Sequence, residues 1–124
     1  MSTLIIEKAK LKNLKDLIYL LFDDNLGKDR ENISETSFNN YKKSFMKILN
    51  DSNNEIFIMI LNDQIIGTMQ LTFIPGLSME GMTRCQIESV RIKKDYRKKG
   101  YGSELIKKGI ETVSYTHLTL PTIE

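Results

Sequence analysis

Six consecutive apolar residues, Ile56-Phe57-Ile58-Met59-Ile60-Leu61, constrain the fold of this chain more than any other feature. The run is rich in β formers and suits a strand. Successive side chains of a strand point to opposite faces, so such a run is buried only when both faces of its sheet are covered. Layers are therefore required on two sides. Leu14, Leu17, Ile18 and Leu21 recur at the spacing of one helical face, and so do Phe38, Tyr41, Phe45, Ile48 and Leu49.

The remaining elements follow from punctuation. Leu4, Ile5 and Ile6 read as a first strand, and Asn13 as the cap of the first helix. Asp23-Asp24-Asn25 and Gly27 end that helix, and residues 26–34 read as a loop. Residues 50–54 stop the second helix. Asn62-Asp63 is a turn signal, after which a strand runs from Ile65-Ile66 through Phe73. Gly67 inside it marks a bulge or a close backbone approach. Pro75-Gly76 ends the strand, and residues 77–81 form a loop. Residues 85–92 read as a further strand. Residues 100–112 read as a helix with Leu105, Ile106, Gly109 and Ile110 inward. The order β-α-α-β-β-β-α places the chain in the α+β class, with a mixed, mainly antiparallel sheet between helices on both faces.

Composition narrows the chemistry. The 124 residues suit one domain. Lys and Arg number 18 against 16 Asp and Glu, a net charge of +2 that argues against a polybasic nucleic-acid binder. One cysteine, Cys85, excludes an internal disulfide and suits the cytoplasm. No apolar run reaches the ~20 residues of a membrane span, and the N-terminus lacks a secretory pattern. The single histidine is His117. A Ser-His-Asp triad, a Cys-His pair and a His-rich zinc site are thereby excluded from residues 1–112, and no metal is expected.

The stretch that carries chemistry is Glu88-Ser89-Val90-Arg91-Ile92 followed by Arg97-Lys98-Lys99-Gly100-Tyr101-Gly102-Ser103. An apolar strand runs into a basic turn, and two glycines open a helix. The first turn of a helix leaves N–H groups unpaired at the positive end of its dipole. Gly100 and Gly102 remove side chains, so an anion can approach those groups closely. Arg97, Lys98 and Lys99 add charge at the same end. The stretch lacks the Gly-Lys-Ser/Thr ending of a P-loop and has too few glycines for a dinucleotide fingerprint.

Arg97-Lys98-Lys99-Gly100-Tyr101-Gly102, between that strand and that helix, resembles the Arg/Gln-x-x-Gly-x-Gly/Ala signature of the GCN5-related N-acetyltransferase superfamily. Ile65-Ile66-Gly67 is similar to the family's hairpin, and the resemblance covers residues 3–112. It implies an N-acetyltransferase that uses acetyl-CoA as cosubstrate and a primary amine, small-molecule or protein-borne, as acceptor. It further implies that the pyrophosphate lies on the loop formed by Arg97, Lys98, Lys99, Gly100, Tyr101 and Gly102, with Ser103 in the first helical turn. The pantetheine arm would run beside Val90, Arg91 and Ile92, and an N–H near Ile92 would polarise the thioester carbonyl. A homodimer is left open. A module that binds the cofactor without turnover, or an inactive fragment, is the alternative.

With no histidine in the body of the chain, a carboxylate is the natural base. Glu88 lies two residues before Val90, so strand alternation places it on the face of Val90 and Ile92. It is the expected proton acceptor for the amine, acting through water. Cys85 reads as a small buried residue. Met69, Met79 and Met82 read as gap fillers before surface residues, and Phe22, Phe38, Tyr41 and Phe45 as core. Asp23, Asp24, Asp29 and Glu31 form an acidic patch between the first two helices. Residues 113–124 carry one charge, Glu124, and residues 113–122 resemble a translated sequencing adapter. The expectation is an acetyltransferase-like domain over 1–112, truncated and incomplete at its C-terminus, with a non-native tail over 113–124. The family's tyrosine general acid then has no counterpart, and Tyr115 lies in the suspect tail.

Overall fold

A computed structural model describes residues 3–23 and 34–114. Four strands, β1 (Leu4–Lys8), β2 (Asn54–Leu61), β3 (Gln64–Pro75) and β4 (Thr83–Ile92), form one sheet in the order β1-β2-β3-β4. Every neighbouring pair is antiparallel. The helices are α1 (Leu14–Phe22), α2 (Glu35–Leu49) and α3 (Tyr101–Ser114). The sequence order is reproduced, with an α+β sheet covered on both faces. Among the described residues the sheet is wholly antiparallel.

The apolar run in β2 behaves as its composition requires. Phe57, Met59 and Leu61 enter one core with Met69, Leu71, Phe73, Cys85 and the α3 residues Leu105 and Val113. Ile58 enters the other, with Leu14, Leu17, Ile18 and Leu20 of α1 and Phe45 of α2. Each such side chain stabilises the fold by roughly 1.5–3 kcal/mol when fully buried. The β2–β3 turn places Asn62 at φ +49° and Asp63 at φ +67°, the left-handed pair that a tight hairpin needs.

Several local expectations shift. Asn13 is not a side-chain cap of α1; its Oδ1 accepts the Lys10 N–H at 2.8 Å and closes a short 3-10 turn, Leu11–Asn13. Ser34 caps α2 instead, its Oγ accepting the Ser37 N–H. Leu49 stands off the buried face of α2 and is 40% exposed. The residues after Pro75-Gly76 include a helical turn, Ser78–Gly81, in which Met79 and Glu80 have left-handed backbones. The last helix continues past Thr112, and Val113 is buried beneath it. The expected loop over 26–34 falls outside the described residues except for Ser34. The expected tail does so from residue 115 onward, with Tyr115 and His117.

Glycine at 67 and 109 lets neighbouring groups approach the backbone closely. A Cβ on Gly67 would stand 2.8 Å from Ile92 Cδ1 and 3.3 Å from the Arg91 carbonyl oxygen. The β2–β3 register also shifts there, with Met59 opposite Gly67 but Ile60 opposite Ile65. A Cβ on Gly109 would collide with Met69 Cε, so α3 lies against the sheet at glycine distance.

Candidate functional site

The site begins at an irregularity in β4. Thr68 pairs with Arg91, but Gln70 pairs with Glu88, so β4 carries one extra residue there. Ser89 takes it up with φ +52°. A left-handed residue inside a ladder is the mark of a bulge, which bends the strand and re-aims the residues beyond it. Cys85 and Ile87 face the α3 core before the bulge, and Val90 and Ile92 face it afterwards. Strict alternation would have required the opposite.

The bulge corrects the expectation for Glu88. The Glu88 side chain does not share a face with Val90 and Ile92. It pairs with Gln70, and directly opposed residues share a face. Gln70 and Ser89 both line the cleft beneath α1 and α2. Glu88 therefore sits on that side of the sheet, and it is exposed.

Among the described residues β4 is an edge strand. Lys93 donates its N–H to the Ile66 carbonyl at 2.7 Å. Antiparallel ladders alternate, so the N–H groups of Ile92 and Val90 point away from β3, toward the open edge. The carbonyls that share this edge are engaged: Arg91 Nη1 donates to the Val90 oxygen at 3.0 Å, and Arg97 Nε to the Ile92 oxygen at 2.8 Å. The open edge thus offers donors.

Beyond β4 the chain makes a short 3-10 turn, Lys94–Tyr96, and then the glycine-containing bend. Lys98 has φ +63° and Gly100 φ +85°, with Lys99 between them at negative φ. Alternating hand turns successive N–H groups in one direction and forms an anion-binding nest. Among the described residues no acceptor meets the N–H of Lys98, Gly100, Tyr101, Gly102 or Ser103, whereas that of Lys99 closes a turn over Arg97 and Lys98. Beyond them the Glu104 N–H donates to the Gly100 carbonyl at 3.1 Å. Three of the five belong to the first turn of a fourteen-residue helix and gain from its dipole. Lys98, Lys99, Gly100 and Ser103 are exposed, and Tyr101 and Gly102 are half-buried.

Side chains around the bend play different parts. Arg97 is a tether: besides the Ile92 oxygen, its Nη2 donates to the Asp23 carbonyl at 3.0 Å. The Lys94 N–H donates to Asp23 Oδ2 at 3.2 Å. The end of α1 is thereby tied to the start of the bend. Tyr96 and Tyr101 meet edge to face at 6.2 Å, and Lys99 Nζ lies 6.0 Å from the Tyr96 ring centre. Sequence reasoning assigned Arg97 to the anion, whereas its guanidinium is committed to two main-chain carbonyls. It missed Asp23 as a tether; of the expected acidic patch, Asp24, Asp29 and Glu31 fall outside the described residues.

An edge of outward amides leading into a turn at a helix N-terminus is an arrangement that can accept an extended chain ending in an anionic group. Residues 5–114 match the Acetyltransferase (GNAT) family. The chain belongs to that family. GNAT acetyltransferases use acetyl-CoA as cosubstrate, and the donor groups of the nest fit its diphosphate. Among the described residues no cluster of His, Cys, Asp and Glu could hold a metal ion.

Solved structures agree with this GNAT assignment. A transcriptional regulator from Bacillus halodurans C-125 is 31% identical with a TM-score of 0.87, over 98% of this chain and 81% of that one. A GNAT family acetyltransferase from Staphylococcus aureus, 21% identical, has a TM-score of 0.78 over 100% of this chain and 87% of that one. An acetyltransferase from Clostridium acetobutylicum, solved with acetyl-CoA and 15% identical, gives 0.73 over 98% and 80%. The last two show the fold alone. No curated protein sequence matches the chain. Among the described residues no helix is long and apolar enough to cross a membrane.

Proposed function

We propose that the protein acetylates a primary amine by direct attack of the neutral amine on the thioester of acetyl-CoA, with no acyl-enzyme. The observation that carries this reading is, among the described residues, the five unpaired amides of Lys98 and residues 100–103 next to the open donor edge of β4. When bound, acetyl-CoA supplies an activated acyl carbon and a thiolate leaving group. The amides of Lys98, Gly100, Tyr101, Gly102 and Ser103 hold the diphosphate. The ammonium groups of Lys98 and Lys99 screen its charge, and Arg97 keeps the bend in place. The outward N–H groups of Val90 and Ile92 align the pantetheine arm as an added strand would lie. The Ile92 N–H stabilises the oxyanion that forms at the thioester carbonyl.

An ordinary alkylammonium has a pKa of about 10.4, so its deprotonation at pH 7 costs about 4–5 kcal/mol. Glu88 takes that proton through water from the face of the sheet beneath α1 and α2. The lone buried thiol of Cys85 suits a reducing compartment, and the cytoplasm is proposed as the place of action. The acceptor is a small-molecule or protein amine.

Release of free thiol from acetyl-CoA across a panel of amines tests the reading. Amine-dependent release is expected. Glu88→Gln is expected to lower kcat near neutral pH by about 100-fold, at the low end of general-base effects, with acetyl-CoA affinity preserved. Calorimetric binding of acetyl-CoA without release for any amine would make the protein a binding module. Full turnover by Glu88→Gln at every pH would remove Glu88 from the mechanism.

A further inference from the structure

Beneath α1 and α2 the sheet carries a cleft of about 130 Å³. Its walls are apolar: Leu17 and Ile18 from α1, and Tyr41 and Phe45 from α2. Gln70 and Ser89 line its sheet side, and Thr68, also in the lining, spends its hydroxyl on the Phe57 carbonyl at 2.9 Å. Among the described residues no charged side chain lines it. An apolar cavity of comparable size, about 150 Å³, accommodates a benzene ring.

The position of the cleft gives it a role. Ser89 is the bulge residue, directly before Val90 in chain order, and Val90 begins the donor edge. Gln70 pairs with Glu88, the proposed proton acceptor, on the same side of the sheet. A ligand seated in the cleft with its nitrogen toward Ser89 has apolar walls around its body and the reaction edge at its head.

The lining then selects among amines. The described lining residues carry no carboxylate, so desolvation shifts a seated ammonium toward the neutral amine that attack requires, with Glu88 beside the cleft to take the proton. A second or third ammonium on the same molecule would be buried at a cost that none of the described lining residues offsets. Resting on the acetyltransferase reading above, we infer that the acceptor is a monoamine on a compact apolar body, aromatic or branched aliphatic, seated in this cleft.

The test compares 2-phenylethylamine with spermidine on the full chain. Thiol release from acetyl-CoA is expected to give 2-phenylethylamine a kcat/KM at least tenfold above that of spermidine. Saturation-transfer NMR on protein free of acetyl-CoA is expected to show its ring protons saturated by the protein. Ser44, exposed and part of the lining, provides a variant that spares the core. Ser44→Asp is expected to narrow or reverse the preference. Ile48→Trp, which fills the cleft, is expected to abolish ring saturation while calorimetric acetyl-CoA binding persists.

A preference for spermidine, unsaturated ring protons in the unaltered protein, or an unchanged ratio in Ser44→Asp would overturn the inference. The two readings fail separately. Acetyl-CoA binding with transfer only to polycations would reject the cleft assignment alone. Ring saturation without acetyl-CoA binding would reject the transferase and keep the cleft as a seat for apolar amines.

Discussion

Arg97 donates through Nε to the Ile92 carbonyl at 2.8 Å, and the same guanidinium reaches the Asp23 carbonyl at 3.0 Å. One planar fork thus joins the last residue of β4, the glycine-containing bend and the end of α1. The Ile92–Lys93 peptide is held at both ends, because the Lys93 N–H also bonds the Ile66 oxygen.

Arg97→Ala is expected to lower stability by about 2 kcal/mol, the scale of hydrogen bonds from a charged donor. It is expected to raise the KM for acetyl-CoA as well. Arg97→Lys is expected to rescue neither, since a point ammonium cannot span two carbonyls in one plane. Chemical denaturation and steady-state kinetics on the two variants check this; full rescue by lysine would show that charge alone matters.

Gly100 has φ +85°, and a Cβ at this position would meet nothing within 4 Å, so its requirement is backbone hand and not space. Gly100→Val is expected to cost about 1–2 kcal/mol and to weaken acetyl-CoA binding by distorting the nest. Gly100→Asn, which tolerates the left-handed region, is expected to be milder. Calorimetry with acetyl-CoA ranks the three proteins.

Gly109 raises the opposite problem. A Cβ there meets the tip of Met69, a flexible side chain that can yield. Gly109→Ala is expected to be tolerated to within about 1 kcal/mol, whereas Gly109→Val overpacks the α3–sheet contact and costs about 1–3 kcal/mol. Thermal melts of both variants measure the difference.

Burial pushes the Cys85 thiol above its ordinary pKa. The neutral thiol is favoured in the folded state, so its contribution to stability is complete below the ordinary thiol value. That contribution declines as pH rises through that value toward the raised one. A thiol reagent is expected to react with Cys85 only on unfolding, at neutral pH and in step with the denaturation curve. In Cys85→Ser the alkaline part of the stability profile is expected to flatten.

The readable parts of this protein were those set by local pattern. The double-sided strand at 56–61 called for two layers, and α1, α2 and α3 supply them. The glycine at 100 marked the left-handed bend before α3, and Gly67 marked both a register shift and a close approach to Ile92. Glu88 was misplaced because alternation counts residues along one strand, whereas the extra residue at Ser89 exists only relative to β3. Serine carries no strong signal for a left-handed bulge. The tethering role of Arg97 was not legible for a related reason: its two acceptors are main-chain oxygens, one of them 74 positions away, and backbone groups leave no mark in composition.

By itself the amino-acid order determined the element sequence, the class of the fold and the glycine-containing bend before α3, because hydrophobic period, turn chemistry and glycine's freedom act over a few neighbouring residues. Tertiary structure alone decided which face Glu88 takes, which side chains tie the bend to α1, and what kind of cleft opens beneath the two helices. Those outcomes depend on register and packing between segments distant in the chain, where one residue of slip turns a side chain from one face of the sheet to the other.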